Sequence, residues 1–286
     1  MKRKLKGILM KRILLVLGLA VLIVSGSKPA HADGAVLCTL GHAAHQQGLF
    51  DSAFDSYTLC LEEGGLRPEQ AAVAYFRRAS VRQALGDMDG VIEDYTLAIA
   101  EQANFALAFN SRGETYLARG NLDLAMADFE QATAIDLTLL GAWQNLGYQH
   151  WKSGAWEAAI RASDTALLLE PGNPQRYMSA ALPRLDGRRD LHGALMLADA
   201  GLALAPDMGP LLDLKGHVLA LLHRPDDALQ AFMMAMDASG QQLIGTYETS
   251  LAYQGFYDGA PDGLMDDELV EALRGCVAAK CDLWAE

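Results

Sequence analysis

Apolar and small residues recur along the middle of the chain with the spacing of paired amphipathic helices. Residues 106–139 alternate bulky and small positions at intervals of three to four, and the same arrangement returns from residue 140. Such spacing predicts helices that each bury one face. The first of these units carries the pattern Phe109, Arg112, Gly113, Tyr116, Gly120, Ala125, Phe129 and Ala132. The second carries Trp143, Leu146, Gly147, His150, Gly154, Ala159, Ala166 and Pro171.

The same frame extends in both directions and divides the chain into six units of about 34 residues. Each unit predicts two antiparallel helices, because its small residues let the helices approach and its bulky residues fill the space between them. A glycine near the middle of most units marks the turn. The units begin at Gly34, Ala72, Ala106, Leu140, Gln175 and Gly209, at intervals of 38, 34, 34, 35 and 34 residues.

Two stretches depart from the regular frame. Residues 63–68 add length to the loop after the first unit. Residues 183–189 include Pro183, which predicts a distortion in the fifth unit because proline kinks or breaks a helix interior. The first helix of the fifth unit is therefore the least regular of the set.

The run Trp143-Gln144-Asn145-Leu146-Gly147, with the small residues and proline that follow it, resembles the tetratricopeptide repeat. The resemblance implies an all-α, right-handed solenoid of about six helical hairpins over residues 33–242. It also implies a concave groove in which a protein or peptide binds. The role expected from it is that of a non-catalytic scaffold for protein–protein interaction.

By this resemblance, fixed positions of each first helix line the groove. Those positions hold Phe76, Ser80, Gln83, Asn110, Glu114, Leu117, Gln144, Tyr148, Trp151 and Lys152. Amide side chains can pair with the backbone of an extended peptide, and aromatic rings can cover its side chains. Tyr148 and Trp151 either form the centre of this groove or pack against the neighbouring unit, and the sequence leaves both interpretations open. The basic clamp with which some tetratricopeptide proteins bind a C-terminal carboxylate is not evident.

The N-terminus has the pattern of a secretory signal peptide over residues 1–32. Basic residues precede an apolar run from Ile13 to Val24, and the small-residue triplet Ala30-His31-Ala32 predicts cleavage before Asp33. The apolar run has 12 residues, whereas a membrane-spanning helix needs about 20. A cleaved chain would be periplasmic or secreted with no membrane span, and an uncleaved N-terminal anchor is the alternative.

Residues 243–286 form a different segment. It resembles the peptidoglycan-binding-like domain in Gly255, Phe256, Tyr257, Gly259, Asp262, Gly263, Ala272 and Leu273. The resemblance implies a small helical module in which Phe256, Tyr257 and Asp262 are candidate glycan contacts. The segment departs from the family at residues 265–268 and at Cys276-Val277. A cap over the last repeat is the other interpretation, and a cell-envelope adaptor that binds peptidoglycan is the alternative function.

The four cysteines favour disulfides in an oxidising compartment. Cys38 and Cys60 occupy facing positions of the first helical hairpin, which predicts one bridge, and Cys276 with Cys281 is the second proposed pair. A metal site made of Cys38, His42 and His45 is the competing interpretation, and a disulfide would exclude it. We expect no metal and no cofactor.

The charge of the chain limits the classes of partner that are expected. The chain of 286 residues has a formal charge of −13, and signal cleavage would remove seven basic residues and no acid, leaving −20. Phosphate backbones repel such a chain, so nucleic-acid binding is not expected. No nucleophile, metal-hydrolase, P-loop or dinucleotide motif is present, and an enzyme with an unrecognised site is the remaining alternative.

Overall fold

The structure, a computed structural model, describes residues 34–279 and Leu283. Its described residues form helices and turns without a β-strand. The helices are α1 Gly34–Gln46, α2 Phe50–Glu63, α3 Pro68–Leu85, α4 Met88–Glu101, α5 Ala106–Ala118, α6 Leu122–Ile135, α7 Leu140–Lys152, α8 Trp156–Leu169, α9 Pro174–Asp186, α10 Leu191–Leu204, α11 Gly209–Leu221, α12 Pro225–Ser239, α13 Gln241–Tyr253 and α14 Asp267–Ala279.

The prediction of an all-α chain built from repeated helical hairpins is confirmed. The first twelve helices follow one another along the chain, two to each of the six predicted repeats, and four of the first helices begin at the predicted residue. The second unit differs, because α3 begins at Pro68 rather than at Ala72. Proline is favoured at the first position of a helix, where its missing N–H costs nothing. The long loop expected there therefore shrinks to residues 64–67.

The fifth unit is more regular than Pro183 predicts. Helix α9 continues through Pro183 to Asp186 and begins at Pro174. The distortion is confined to the turn that follows, where Arg188 has φ of 48°. Pro183 lies in the last turn of the helix, so little helix remains beyond it to be broken.

A residue in the left-handed region closes each first helix. Glycine occupies this position in the first four units, whereas Arg188 and His223 occupy it in the fifth and sixth. The same left-handed turn recurs at Gly255, after α13. The pattern of helix and turn therefore continues beyond residue 242, where the predicted repeats end. A left-handed conformation favours glycine because a Cβ crowds the carbonyl oxygen that follows.

Replacing Arg188 by glycine is therefore expected to raise the free energy of unfolding by about 0.5–1 kcal/mol, the released strain being partly offset by the greater freedom of glycine in the unfolded chain. Urea denaturation followed by far-UV circular dichroism measures the change. Gly154→Ala, at the same turn position one unit earlier, is the matched control and should lower stability. A destabilised Arg188→Gly variant would contradict the account of this turn.

Contacts divide the described residues into two compact units of several repeats each, with the division between Asp128 and Phe129. From here on, the first unit and the second unit mean these two parts of the chain, and the 34-residue units are called repeats or hairpins. In the first unit α1 packs on α2, α2 on α3, α3 on α4 and α4 on α5. The structure joins Cys38 of α1 to Cys60 of α2, with their Cα atoms 5.3 Å apart, which is the predicted pairing. This bond excludes Cys38 as a ligand in the alternative metal site.

In the second unit the C-terminal helices complete the core of the sixth hairpin. Helices α13 and α14 pack on α12 and on each other. Their apolar residues, among them Leu251, Leu269 and Leu273, form one buried cluster with Phe232 and Met236 of α12. This arrangement covers the apolar face that a terminal repeat would otherwise leave exposed.

Some predictions fall on residues outside the described ranges. The signal peptide, residues 1–32, lies entirely outside them. Cys276 is disulfide-bonded, and its predicted partner Cys281 also lies outside the described residues. Among the described helices, none combines the length and apolar character needed to cross a bilayer.

Candidate functional site

A cleft of about 270 Å³ opens in the first unit between α3, α4 and α5. We call it the first-unit cleft. It is lined by Phe76, Ser80, Gln83, Met88, Tyr95, Ser111, Glu114, Thr115 and Ala118. Its volume is close to the lower end of the range for small-ligand pockets, which suits one or two side chains of a partner.

Aromatic rings form the apolar part of the first-unit cleft. The Phe76 ring lies 5.4 Å from Tyr95 and 5.1 Å from Phe105, centroid to centroid, in tilted contacts. Tyr95 is almost fully buried. Burial raises the pKa of the Tyr95 hydroxyl, and hydrogen bonds with Ser80 and Ser111 act in the opposite direction. The hydroxyl therefore stays protonated at neutral pH and can donate a hydrogen bond.

Polar groups from α3 and α5 form the other part. Gln83 and Glu114 are exposed. Asn110 is only 8% exposed, and its Nδ2 donates a hydrogen bond of 3.0 Å to Oε1 of Glu114. The first-unit cleft thus combines aromatic surface with hydroxyl, amide and carboxylate groups, the chemistry that can hold a peptide backbone and a side chain.

Four of the six groove residues predicted in this unit come together at the first-unit cleft. They are Phe76, Ser80, Gln83 and Glu114. The structure differs at Asn110, which was predicted to line the groove but is buried behind Glu114. Leu117 is half-buried and is not part of the lining.

Sequence reasoning missed the other five residues of the lining. Ser111 and Thr115 each follow a predicted residue on α5, so their four-residue spacing was available as a signal. Met88 and Tyr95 come from α4, a second helix. The groove positions implied by the resemblance lie on first helices alone, and nothing local marks a second-helix residue as part of the lining.

In the second unit, three predicted residues form a surface that we call the second-unit aromatic patch: Tyr148, Trp151 and Lys152. The Tyr148 and Trp151 rings lie 5.7 Å apart, and Lys152 Nζ lies 5.9 Å from the Tyr148 centroid. Tyr148 is 53% exposed. Trp151 is half-buried, and its Nε1 donates to Asp186 at 2.6 Å, so this ring is held in place by α9.

Gln144 lies on the same helix but is engaged within the unit. With its amide oxygen directed toward Arg176, it accepts hydrogen bonds of 2.6 and 2.9 Å from that guanidinium. Arg176 also donates to Glu170 at 2.9 Å. A partner would have to displace these contacts to reach the Gln144 amide.

The C-terminal candidates are placed mostly in the core. Tyr257 is 6% exposed, and its hydroxyl donates to the buried Glu248 at 3.4 Å. Phe256 is half-buried and packs against the core cluster. Asp262 is exposed, and its Oδ1 accepts from the backbone N–H of Leu264 at 2.9 Å, which stabilises the turn. Tyr257, and in part Phe256, thus serve packing instead of presenting a face on which a sugar could stack.

Within residues 34–279 and at Leu283, no group of three or more His, Cys, Asp or Glu side chains is arranged to hold a metal ion. The buried polar groups of α11 and α13 bond to one another, the Tyr247 hydroxyl donating to Asp213.

Comparison with known proteins agrees with the helical-repeat architecture. A family model described as the tetratricopeptide repeat matches residues 106–138. The tetratricopeptide repeat domain-containing protein PYG7 of Arabidopsis thaliana is 29% identical over 110 residues, which cover 38% of this chain and 32% of that protein. DnaJ homolog subfamily C member 3 of Mus musculus is 25% identical over 181 residues, covering 63% of this chain and 32% of that protein. The chain thus spans about a third of the length of the curated relatives it matches.

Solved structures show the same fold. The C-terminal part of a tetratricopeptide repeat protein from Cytophaga hutchinsonii superposes with a TM-score of 0.61 at 15% identity, covering 86% of this chain and 95% of that one. YrrB, described as a TPR protein with an unusual peptide-binding site, gives 0.57 at 19% identity, covering 64% of this chain and 91% of that one. Together with the matched family model, these likenesses support a tetratricopeptide repeat protein.

Proposed function

We propose that this protein is an exported, non-catalytic scaffold that binds a peptide segment of a partner protein in the first-unit cleft. The tetratricopeptide fold itself suggests a protein-interaction scaffold. The observation that carries the finer proposal is the meeting of Phe76, Ser80, Gln83 and Glu114 at one cleft. YrrB, a protein of the same fold, is described as having a peptide-binding site.

The disulfide supports the export part of the proposal. Cys38 and Cys60 are bonded within the first hairpin. Such bonds persist in oxidising compartments and are rare in the cytosol. Together with the basic, apolar and small-residue segments of the N-terminus, this supports a periplasmic or secreted location.

The C-terminal module is proposed to cap the last repeat. Its buried cluster with Phe232 and Met236 supports this role. The peptidoglycan-adaptor alternative would need the Phe256 and Tyr257 rings at the surface. Because Tyr257 is buried and Phe256 packs on the core, the arrangement favours the cap.

Peptide binding is tested by selecting a displayed peptide library on the purified protein and measuring the selected peptide by fluorescence anisotropy. The double substitution Gln83→Ala/Met88→Ala removes two exposed side chains of the first-unit cleft. We expect it to weaken binding about tenfold, because truncating central contact residues costs more than about 1 kcal/mol.

Met196→Ala is the matched control, since Met196 is an exposed methionine of the second unit. It should leave affinity unchanged. If Gln83→Ala/Met88→Ala binds normally while Tyr148→Ala abolishes binding, the working surface is the second-unit aromatic patch. If the protein selects no peptide, the peptide-binding proposal is wrong.

A further inference from the structure

One formal charge lies on the wall of the first-unit cleft. Glu114 is the single acidic residue of its lining, which contains no lysine, arginine or histidine. The other side chains are aromatic, hydroxyl, amide, thioether or methyl groups. The lining is therefore both apolar and negative, a combination that favours some partners over others.

A buried amide on the same helix orients the carboxylate of Glu114. Asn110 is buried one helical turn away, and its amide nitrogen lies 3.0 Å from Oε1 of Glu114. Glu114 itself is exposed at the first-unit cleft. A carboxylate held by a neutral amide loses part of its rotamer freedom before a ligand arrives, which lowers the entropic cost of binding.

Three arginines in or next to the helices that form the cleft bind other carboxylates. Arg78 and Arg82 both contact Asp94, at 2.6 and 3.3 Å. Arg119 contacts Asp89 at 2.6 Å. The carboxylates that they bind lie outside the lining of the first-unit cleft, in which Glu114 is the one acidic residue.

The apolar part of the lining suits the stem of a long basic side chain. Phe76 and Met88 offer apolar surface on the same cleft as Glu114. Lysine and arginine carry an aliphatic stem and a cationic end. The stem can lie against apolar surface while the cationic end pairs with a carboxylate. Hydroxyl oxygens of Ser80 and Ser111 are further acceptors for an ammonium or guanidinium group.

From this arrangement we infer that the first-unit cleft selects a lysine or arginine side chain of an extended peptide, with Glu114 as the specificity-determining residue. The inference rests on the proposed function and names the partner chemistry of the same site. The stem contacts Phe76 and Met88, and the cationic end pairs with Glu114. A partner segment with an acidic or neutral residue at this position is bound more weakly.

Four blocked hexapeptides test the inference. They share one leucine in an alanine background and differ at the central position, which holds lysine, arginine, norleucine or glutamate. We expect the wild-type protein to bind the lysine and arginine peptides about tenfold more tightly than the norleucine peptide, and the glutamate peptide least. Glu114→Gln should remove this preference while retaining binding of the norleucine peptide. The preference should also fall as salt concentration rises.

Glu69→Gln is the matched control, because it removes the same charge from an exposed position of the same unit outside the first-unit cleft. It should keep the preference. Equal affinity for all four peptides, or a preference that survives in Glu114→Gln, would overturn the inference and leave peptide binding intact. Failure of the wild-type protein to bind any of the four would overturn the site itself. Melting curves of both variants exclude misfolding as the cause.

Discussion

Replacing Asp94 by alanine is expected to lower the free energy of unfolding by about 3–5 kcal/mol. Asp94 of α4 is fully buried, and its two carboxylate oxygens accept hydrogen bonds of 2.9 and 2.6 Å from Arg78 of α3. Arg82 lies 3.3 Å from the same carboxylate. Without Asp94, a largely buried guanidinium would lack its counterion, and an uncompensated buried charge is strongly unfavourable. Urea denaturation measures the loss.

The chain contains its own control for this substitution. One repeat further along, Arg112 pairs with Asp128 at 2.8 Å in the same geometry. Among the described residues, Asp94 pairs with two arginines and Asp128 with Arg112, and the Asp128 side chain is 7% exposed whereas that of Asp94 is fully buried. Asp128→Ala should therefore cost less than Asp94→Ala. The double substitution Arg78→Met/Asp94→Leu should recover much of the loss, because it removes both charges together. An Asp94→Ala variant within about 0.5 kcal/mol of wild type would contradict the importance of this ion pair.

Phe232→Ala is expected to lower the free energy of unfolding by about 3–5 kcal/mol as well. Phe232 is 1% exposed, and its ring makes edge contacts with His217 at 5.0 Å and with Tyr247 at 5.7 Å. A Cβ placed on Gly216 would lie 2.4 Å from the Phe232 ring, so only a residue without a side chain leaves room for this ring. The substitution leaves a cavity at the joint between the sixth hairpin and α13.

Amide hydrogen exchange distinguishes a local loss of packing between the sixth hairpin and α13 from a general loss of stability. Amides of α13 and α14 should exchange faster in Phe232→Ala, because their packing surface is reduced. Tyr253→Ala is the control, since Tyr253 lies on α13 and is 77% exposed. It should change the free energy of unfolding by less than about 0.5 kcal/mol. Unchanged exchange in α13 and α14 would show that Phe232 does not hold the cap.

Local features of the sequence were sufficient to predict the repeats. Glycines at Gly86, Gly120 and Gly154 mark turns that require a left-handed backbone, and that requirement depends on one residue alone. The facing positions of Cys38 and Cys60 follow from the antiparallel hairpin in which they lie. The four groove residues at the first-unit cleft were implied by the resemblance to the tetratricopeptide repeat, and the spacing of three to four residues between those of α3 places them on one helical face.

Burial of polar groups was not predictable in the same way. Asn110 looks like a groove residue from its position but lies behind Glu114. Glu248 is part of an exposed-looking sequence, yet it is fully buried and accepts a hydrogen bond of 2.8 Å from the backbone of Gly263. Tyr257 was a candidate glycan contact, but it is buried in the core. Asn110 bonds to a residue one turn away on its own helix, whereas Glu248 and Tyr257 bond to residues beyond their own helix or turn, and the pattern of the sequence marks none of these contacts.

By itself, therefore, the sequence determined the helices, their pairing and the turns between them, because periodicity, proline and glycine act within a few residues. The tertiary structure alone decided which polar side chains meet at the first-unit cleft and which are buried. Met88 and Tyr95 reach the cleft because α4 packs against both α3 and α5. Whether a side chain is exposed or buried depends on the surface that a neighbouring helix places over it, and that surface comes from residues elsewhere in the chain.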